Sequence, residues 1–229
     1  MASIKFGNFI VDARGKVSGN VYSKNKGGAY ARTRVKPANP RSSFQSAVRA
    51  FFTTNSQAWR ALTDVQRQSW IQGVGNFVRK NRLGDAHNLS GNSLYQSLNK
   101  NLADVAIAPI DVCPSPADVS TVSILTAVAD NSSQSLVITL GAAVPANTSI
   151  KVFVSASVSP GVNSIGTKLR QLTSFPAAHA AALTLTTLYT ARFGAVGDVG
   201  SKIFYKIVPV NETTGQAGAA IAGVATVVA

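Results

Sequence analysis

The sequence predicts two domains in series, an α+β unit followed by an all-β sandwich, and three observations lead there. Positive charge is confined to one end: up to Ile110 there are 16 Lys and Arg against 4 Asp, whereas residues 111–229 carry 6 against 5 acids. Pro109, Pro114 and Pro116 punctuate a short stretch that reads as a stiff linker, because proline fixes φ and withholds a donor. Beyond it, mixed strand and helix periods give way to short alternating strands separated by turn clusters. The expected limits are 1–108 for the basic domain, 109–117 for the linker and 118–229 for the sandwich. Two domains also suit a chain of 229 residues, since domains commonly run ~100 to 150.

The first domain opens as a small antiparallel meander. Ile4 to Val11 carries apolar residues on both parities (Ile4, Phe6, Ile10; Phe9, Val11), the pattern of a strand covered on both faces. Val17 to Ser23 alternates, Lys24 to Gly28 forms a turn, and Ala29 to Val35 is a third strand. So small a sheet needs a hydrophobic cover to persist.

Pro37 to Pro40 breaks the chain, and three helices follow. Ser42 with Gln45, and Thr63 with Gln66, have the spacing of capping boxes. Phe44, Ala47, Val48, Phe51, Phe52, Trp59 and Leu62 recur at three- and four-residue steps and predict one buried stripe. Trp70, Val74, Phe77 and Val78 mark a second helix that Gly73 and Gly75 weaken, and Leu94, Leu98, Leu102 and Val105 mark a third. Trp59, Trp70, Phe51, Phe52 and Tyr95 are expected in the core.

In the second half, candidate strands are 119–128, 134–140, 149–156, 168–174, 182–193, 202–211 and 217–228. Seven strands in about 110 residues is the signature of an immunoglobulin-like sandwich. Ile203, Tyr205 and Ile207 alternate, Val208 to Asn211 continue that strand, and Glu212 to Gly215 turn it. This hairpin resembles the last one of fibronectin type III domains, which implies a recognition or spacer module. Without an inter-sheet cysteine pair or a tryptophan in this half, it departs from antibody-type domains.

A formal charge of +13 calls for an acidic partner: nucleic acid, an anionic membrane surface or the acidic face of a protein. The candidate partner-binding residues are Arg14, Lys16, Lys24, Lys26, Arg32, Arg34, Lys36 and Arg41, interleaved with Gly15, Gly19, Gly27 and Gly28. Guanidinium forks and ammonium groups on a strand with little side-chain bulk suit carboxylates or phosphates on a neighbouring subunit. The plainer alternative is that these charges solvate an exposed sheet face. Stacking platforms for nucleic acid would interleave aromatics with the cations, and only Tyr22 and Tyr30 do so.

Chemistry has no evident carriers, and no enzyme, cofactor or metal is expected. Cys113 is the only cysteine, which precludes an internal disulfide and a cysteine-based metal site. Neither His87 nor His179 has another ligand type at metal-binding spacing. In Gly194 to Lys202, Ser201 separates glycine from lysine and breaks the order a phosphate loop requires. Nucleophile-elbow and dinucleotide patterns are missing. Met1 to Val11 does not read as a signal peptide, so synthesis inside a cell is expected and the sequons at Asn88, Asn131, Asn147 and Asn211 carry no weight. Ala219 to Ala229 falls well short of the ~20 residues of a spanning helix, and no membrane role is expected.

The first 100 or so residues resemble an uncharacterised group of tailed-phage virion proteins. The carrying residues are Arg14-Gly15-Lys16-Val17 with Gly19, Val21-Tyr22-Ser23 with Asn25, Gly28-Ala29-Tyr30 with Arg32, Arg34-Val35-Lys36-Pro37 and Asn39-Pro40. They continue through Gln45, Val48-Arg49, Trp59-Arg60, Leu62-Thr63 and Gln66-Arg67 to Trp70. The resemblance implies a virion structural component made in the bacterial cytoplasm. In that setting an auxiliary or decoration protein, present in many symmetric copies on the major capsid protein, is the leading expectation. A tail or fibre component and a packaged nucleic-acid-binding protein are the alternatives.

Overall fold

The structure, a computed structural model, describes all residues except Met1, Phe9, Lys36, Pro37, Ala38, Pro40, Arg82 and Asn88. The chain is a mixed α/β N-terminal region followed by a mostly β C-terminal domain. It divides into two compact units, residues 1–97 with 111–115, and residues 98–110 with 116–229.

In the first unit, β1 (Ala2–Ile4), β2 (Gly15–Val17), β3 (Asn20–Asn25) and β4 (Gly28–Thr33) form an antiparallel sheet of order β1-β4-β3-β2. Two expectations are corrected. The predicted first strand shrinks to Ala2–Ile4, and Ile10 and Val11 are exposed rather than covered. Val17 to Ser23 is not one strand but a hairpin, because Ser18 takes a positive φ of 50° and the chain reverses at Ser18-Gly19. Val17 and Val21 keep the alternating parity through that turn, which hides it in the sequence.

The helices are α1 (Ser43–Ala61), α2 (Asp64–Gly73) and α3 (Gly91–Asp104). Ser42 Oγ accepts from Gln45 N at 3.3 Å, but Gln45 Oε1 is left without a partner, so only half of that box forms. Thr63 and Gln66 make both halves of theirs. At Gly73 α2 tightens into one 3-10 turn, Val74–Phe77, as the glycines suggest. A Cβ at Gly73 would collide with Cys113 Sγ, so close approach of the 111–115 segment requires glycine there. A small hairpin, β5 (Arg79–Lys80) with β6 (Ala86–His87), occupies what reads as loop. Its organiser is Asn81, whose Oδ1 accepts from Leu83 N and Asp85 N.

The core of this unit is helical: Leu62, Trp70, Val74, Leu94 and Tyr95 are buried. Trp70 and Tyr95 meet edge to face at 5.2 Å, and Trp59, half-buried, lies 5.3 Å from Tyr95. The expectation of a fully buried α1 stripe is corrected: Phe44, Val48 and Phe52 are exposed, because the rest of the described unit covers only the C-terminal half of α1.

The second unit is built on one curled sheet of seven strands: β7 (Ile124–Asp130), β8 (Ser135–Leu140), β9 (Thr148–Val154), β10 (Arg170–Phe175), β11 (Ala182–Thr184), β12 (Lys202–Asn211) and β13 (Ile221–Val228). The order is β10-β9-β12-β13-β7-β8-β11, antiparallel except for the short β13–β7 pairing of Val227 with Ala129 and Val228 with Asp130. Curling places the inward residues of both wings in one core: Leu136, Ile138 and Leu140 from one, and Ile150, Val152, Ile203 and Ile207 from the other.

The strand expected over 182–193 is corrected to β11 followed by α4 (Thr186–Phe193). Leu185, Tyr189 and Phe193 follow a four-residue period, and Leu185 and Tyr189 are fully buried. Thr186 Oγ1 accepts from Leu136 N, and Leu185 N donates to Leu136 O, tying this corner to β8.

The end of α3 belongs to this unit, where Leu98, Leu102 and Val105 are buried. Asn101 Nδ2 donates to Gly215 O at 2.8 Å, and Gln171 Nε2 donates to Asp104 O at 3.3 Å. Lys151 on β9, 6% exposed, donates to Asn101 Oδ1 at 2.9 Å and lies 3.5 Å from Asp104, which Lys100 also engages. Burial pushes the Lys151 ammonium pKa down, and the Asp104 carboxylate opposes that shift.

Candidate partner-binding surface

The cations singled out from sequence sit on a sheet with no core of its own. None of the described strand residues in β1 to β4 is buried; the best covered are half-buried. Arg14, Lys16, Lys24, Lys26, Arg32, Arg34 and Arg41 are all exposed, and Lys36 lies outside the described residues, as do Pro37 and Pro40 of the expected chain break.

Register decides which of these act together. Lys16 pairs with Val21 and Val21 with Arg32, so Lys16 and Arg32 lie in one cross-strand row. Tyr30, two residues before Arg32, shares that face and lies opposite Ser3 and Ser23. Lys24 pairs with Ala29 and falls on the other face, together with Tyr22. The sheet therefore carries charge on both sides, and Tyr22 and Tyr30 point away from each other.

The remaining cations lie on connections. Lys26 is at the β3–β4 turn, where Gly27 N donates to Asn25 Oδ1 and Gly28 takes a φ of 106°. That turn borders an open cavity of about 330 Å³ also lined by His87, Leu89, Ser90 and Ser93. Arg34 donates its backbone N–H to Gly19 O at 2.7 Å, closing the sheet end. Arg14 is paired with Asp12, Nε to Oδ2 3.0 Å, and Arg41 precedes α1 at a φ of 50°.

Carboxylates are scarce around them. Lys5 pairs with Asp85 at 2.9 Å, and this contact with the Asn81 amide lowers the Asp85 pKa. Both side chains are well exposed, so the pair contributes little to stability. Cys113 N donates to Ser69 Oγ, and burial raises the Cys113 thiol pKa, which disfavours the reactive thiolate.

Comparison with family models, with curated proteins and with solved structures gives no match. The geometry therefore stands by itself: among the described residues, exposed and largely unpaired cations on a thin sheet that can meet carboxylates or phosphates on either face.

Apolar exposure accompanies the charge. Val17 is 64% exposed and Val35 65%. Sequence reasoning missed these as contact residues, since periodicity shows which residues share a face and not whether anything covers it. Among the described residues no group of His, Cys, Asp and Glu is placed to hold a metal ion, and no helix is long and apolar enough to cross a membrane.

Proposed function

We propose that this chain is a structural component of a tailed-bacteriophage virion, specifically an auxiliary or decoration protein attached to acidic surfaces of the major capsid protein through its basic N-terminal unit. One observation carries the reading: a four-stranded sheet without a buried strand residue, bearing exposed cations and the exposed Val17. A sheet so poorly covered gains most from being covered by another subunit. Repeated contacts of one kind are what a symmetric shell supplies. The role is mechanical, with no catalytic step.

In this reading the second unit is an immunoglobulin or fibronectin type III-like module. Its strand order supports that, since β7-β8-β11 and β10-β9-β12-β13 form three- and four-stranded wings around one core. It serves as a spacer or recognition module at the particle.

The opposite placement of Tyr22 and Tyr30 disfavours nucleic acid as the partner, because successive bases need stacking faces on one side of a cationic track. Incorporation tests the proposal. Particles assembled in the presence of the Lys16→Ser, Arg32→Ser, Arg34→Ser variant should lack the protein while the purified variant stays folded. Normal incorporation removes the anchoring role, and gold-labelled antibody on whole wild-type particles separates head from tail.

A further inference from the structure

The apolar stripe of α1 is continuous, but its cover is not. Phe44, Val48, Phe52, Asn55, Trp59 and Leu62 follow one another at three- and four-residue steps and share a face. Over the C-terminal half, the unit supplies that cover. Asn55 and Leu62 are buried, Trp59 packs on Tyr95, and Gln96 Nε2 donates to Ser56 Oγ at 2.9 Å. Over Ser43 to Phe52, about 15 Å of helix, the described residues leave that face less covered: Val48 is 46% exposed and Phe52 45%.

Charge selects the occupant. From Ala13 to Thr63 the sequence has ten Lys and Arg and no Asp or Glu. The basic N-terminal unit of a second copy laid on the stripe would bring like charge against like charge. The polar side of α1 is mostly uncharged, with Gln45, Ser46, Thr53, Thr54 and Gln57, and Arg49 and Arg60 are its only cations. Helices that lie on anionic membranes carry many more Lys and Arg on that side. An acidic protein surface with an apolar depression meets both requirements, carboxylates for the Arg-bearing flank and a floor for the stripe.

We propose that the N-terminal half of α1 is a docking helix, with Val48 and Phe52, in line with Phe44, seated in an apolar groove rimmed by carboxylates on a partner protein. This concerns the surface of α1 alone and does not depend on the partner being a capsid subunit.

Calcium-loaded calmodulin, an acidic protein with an apolar groove, is a chemical probe for the proposal. The full-length protein should bind it in calcium and lose binding when EDTA closes the groove. Val48→Ser with Phe52→Ser should weaken binding at least tenfold. Val48→Met with Phe52→Met should retain it, which separates loss of apolar contact from loss of fold. Circular dichroism should show the same helix content in all three proteins. Absence of binding, binding equal in calcium and EDTA, or binding insensitive to the Ser pair would each overturn the proposal. So would partition onto phosphatidylglycerol vesicles that the Ser pair abolishes, which would assign the stripe to a lipid surface.

Discussion

The indole Nε1 of Trp70 donates to the main-chain carbonyl of Asp111 at 2.7 Å. Trp70 is fully buried, so this bond satisfies its only polar atom and fixes the 111–115 segment within the first unit. Ser69 Oγ accepting from Cys113 N adds a second tie.

Trp70→Phe should therefore cost about 1 to 3 kcal/mol, since it removes the donor and leaves the Asp111 carbonyl without it. Trp70→Ala should cost about 3 to 5 kcal/mol by adding a cavity beside Tyr95. Urea unfolding followed by tryptophan fluorescence from Trp59 measures both. No loss in Trp70→Phe would mean the hydrogen bond contributes nothing, and equal losses in the two variants would mean the cavity does.

Asp104→Asn should destabilise the second unit by on the order of 3 kcal/mol, because it strips the counter-charge from an ammonium that is almost wholly buried. Lys151→Met should be near neutral or stabilising, since it removes the charge that burial penalises. Thermal melting of the two variants should rank them in that order, and the reverse ranking would refute the assignment.

The pKa of Tyr189 is pushed up to about 12 by burial; a nearby Ser157 backbone group opposes the shift but makes no hydrogen bond with the hydroxyl. The unfolded chain gives up this proton near the ordinary tyrosine value of about 10, before the folded one does. The stability linked to Tyr189 is thus complete below pH 10 and is lost as pH rises toward 12. Burial also raises the Tyr205 pKa, so part of the alkaline loss persists without Tyr189. Tyr189→Phe should flatten the fall of the urea midpoint between pH 9.5 and 11.5. An unchanged slope would contradict this.

Gly215 takes a φ of 69° in the β12–β13 connection, and a Cβ there would press on the Leu98 carbonyl. Gly215→Ala should cost on the order of 1 to 3 kcal/mol through strain and the shifted α3 end. A fragment of residues 118–229, which lacks Leu98 and Leu102, should likewise melt below one of residues 91–229. Equal melting temperatures would show that the α3 end adds nothing to this unit.

Helix positions were legible because Leu94, Leu98 and Leu102 repeat on one face and Gly73 marks an end. The seven strands of the second unit were legible from turn clusters and from alternation such as Ile203, Tyr205 and Ile207. Two features were hidden because one residue serves two periods: Val17 and Val21 continue a strand parity across the Ser18-Gly19 turn, and Leu183 and Leu185 continue one into α4. The β5–β6 hairpin rests on side-chain bonds of Asn81, which leave no period at all. At the candidate surface, the residue types and their exposure were readable, but the split of Lys16 and Arg32 from Lys24 depends on register. Exposure of Val48 and Phe52 depends on how far the cover reaches along α1.

The central claim is that the basic N-terminal unit recognises an acidic protein surface. Co-sedimentation of the purified protein with DNA-free phage shells, beside naked double-stranded DNA across a salt series, tests it most directly. The account predicts saturable, stoichiometric shell binding that survives moderate salt and is lost in the Lys16→Ser, Arg32→Ser, Arg34→Ser variant. Binding to DNA alone, falling steeply as salt rises, would contradict it.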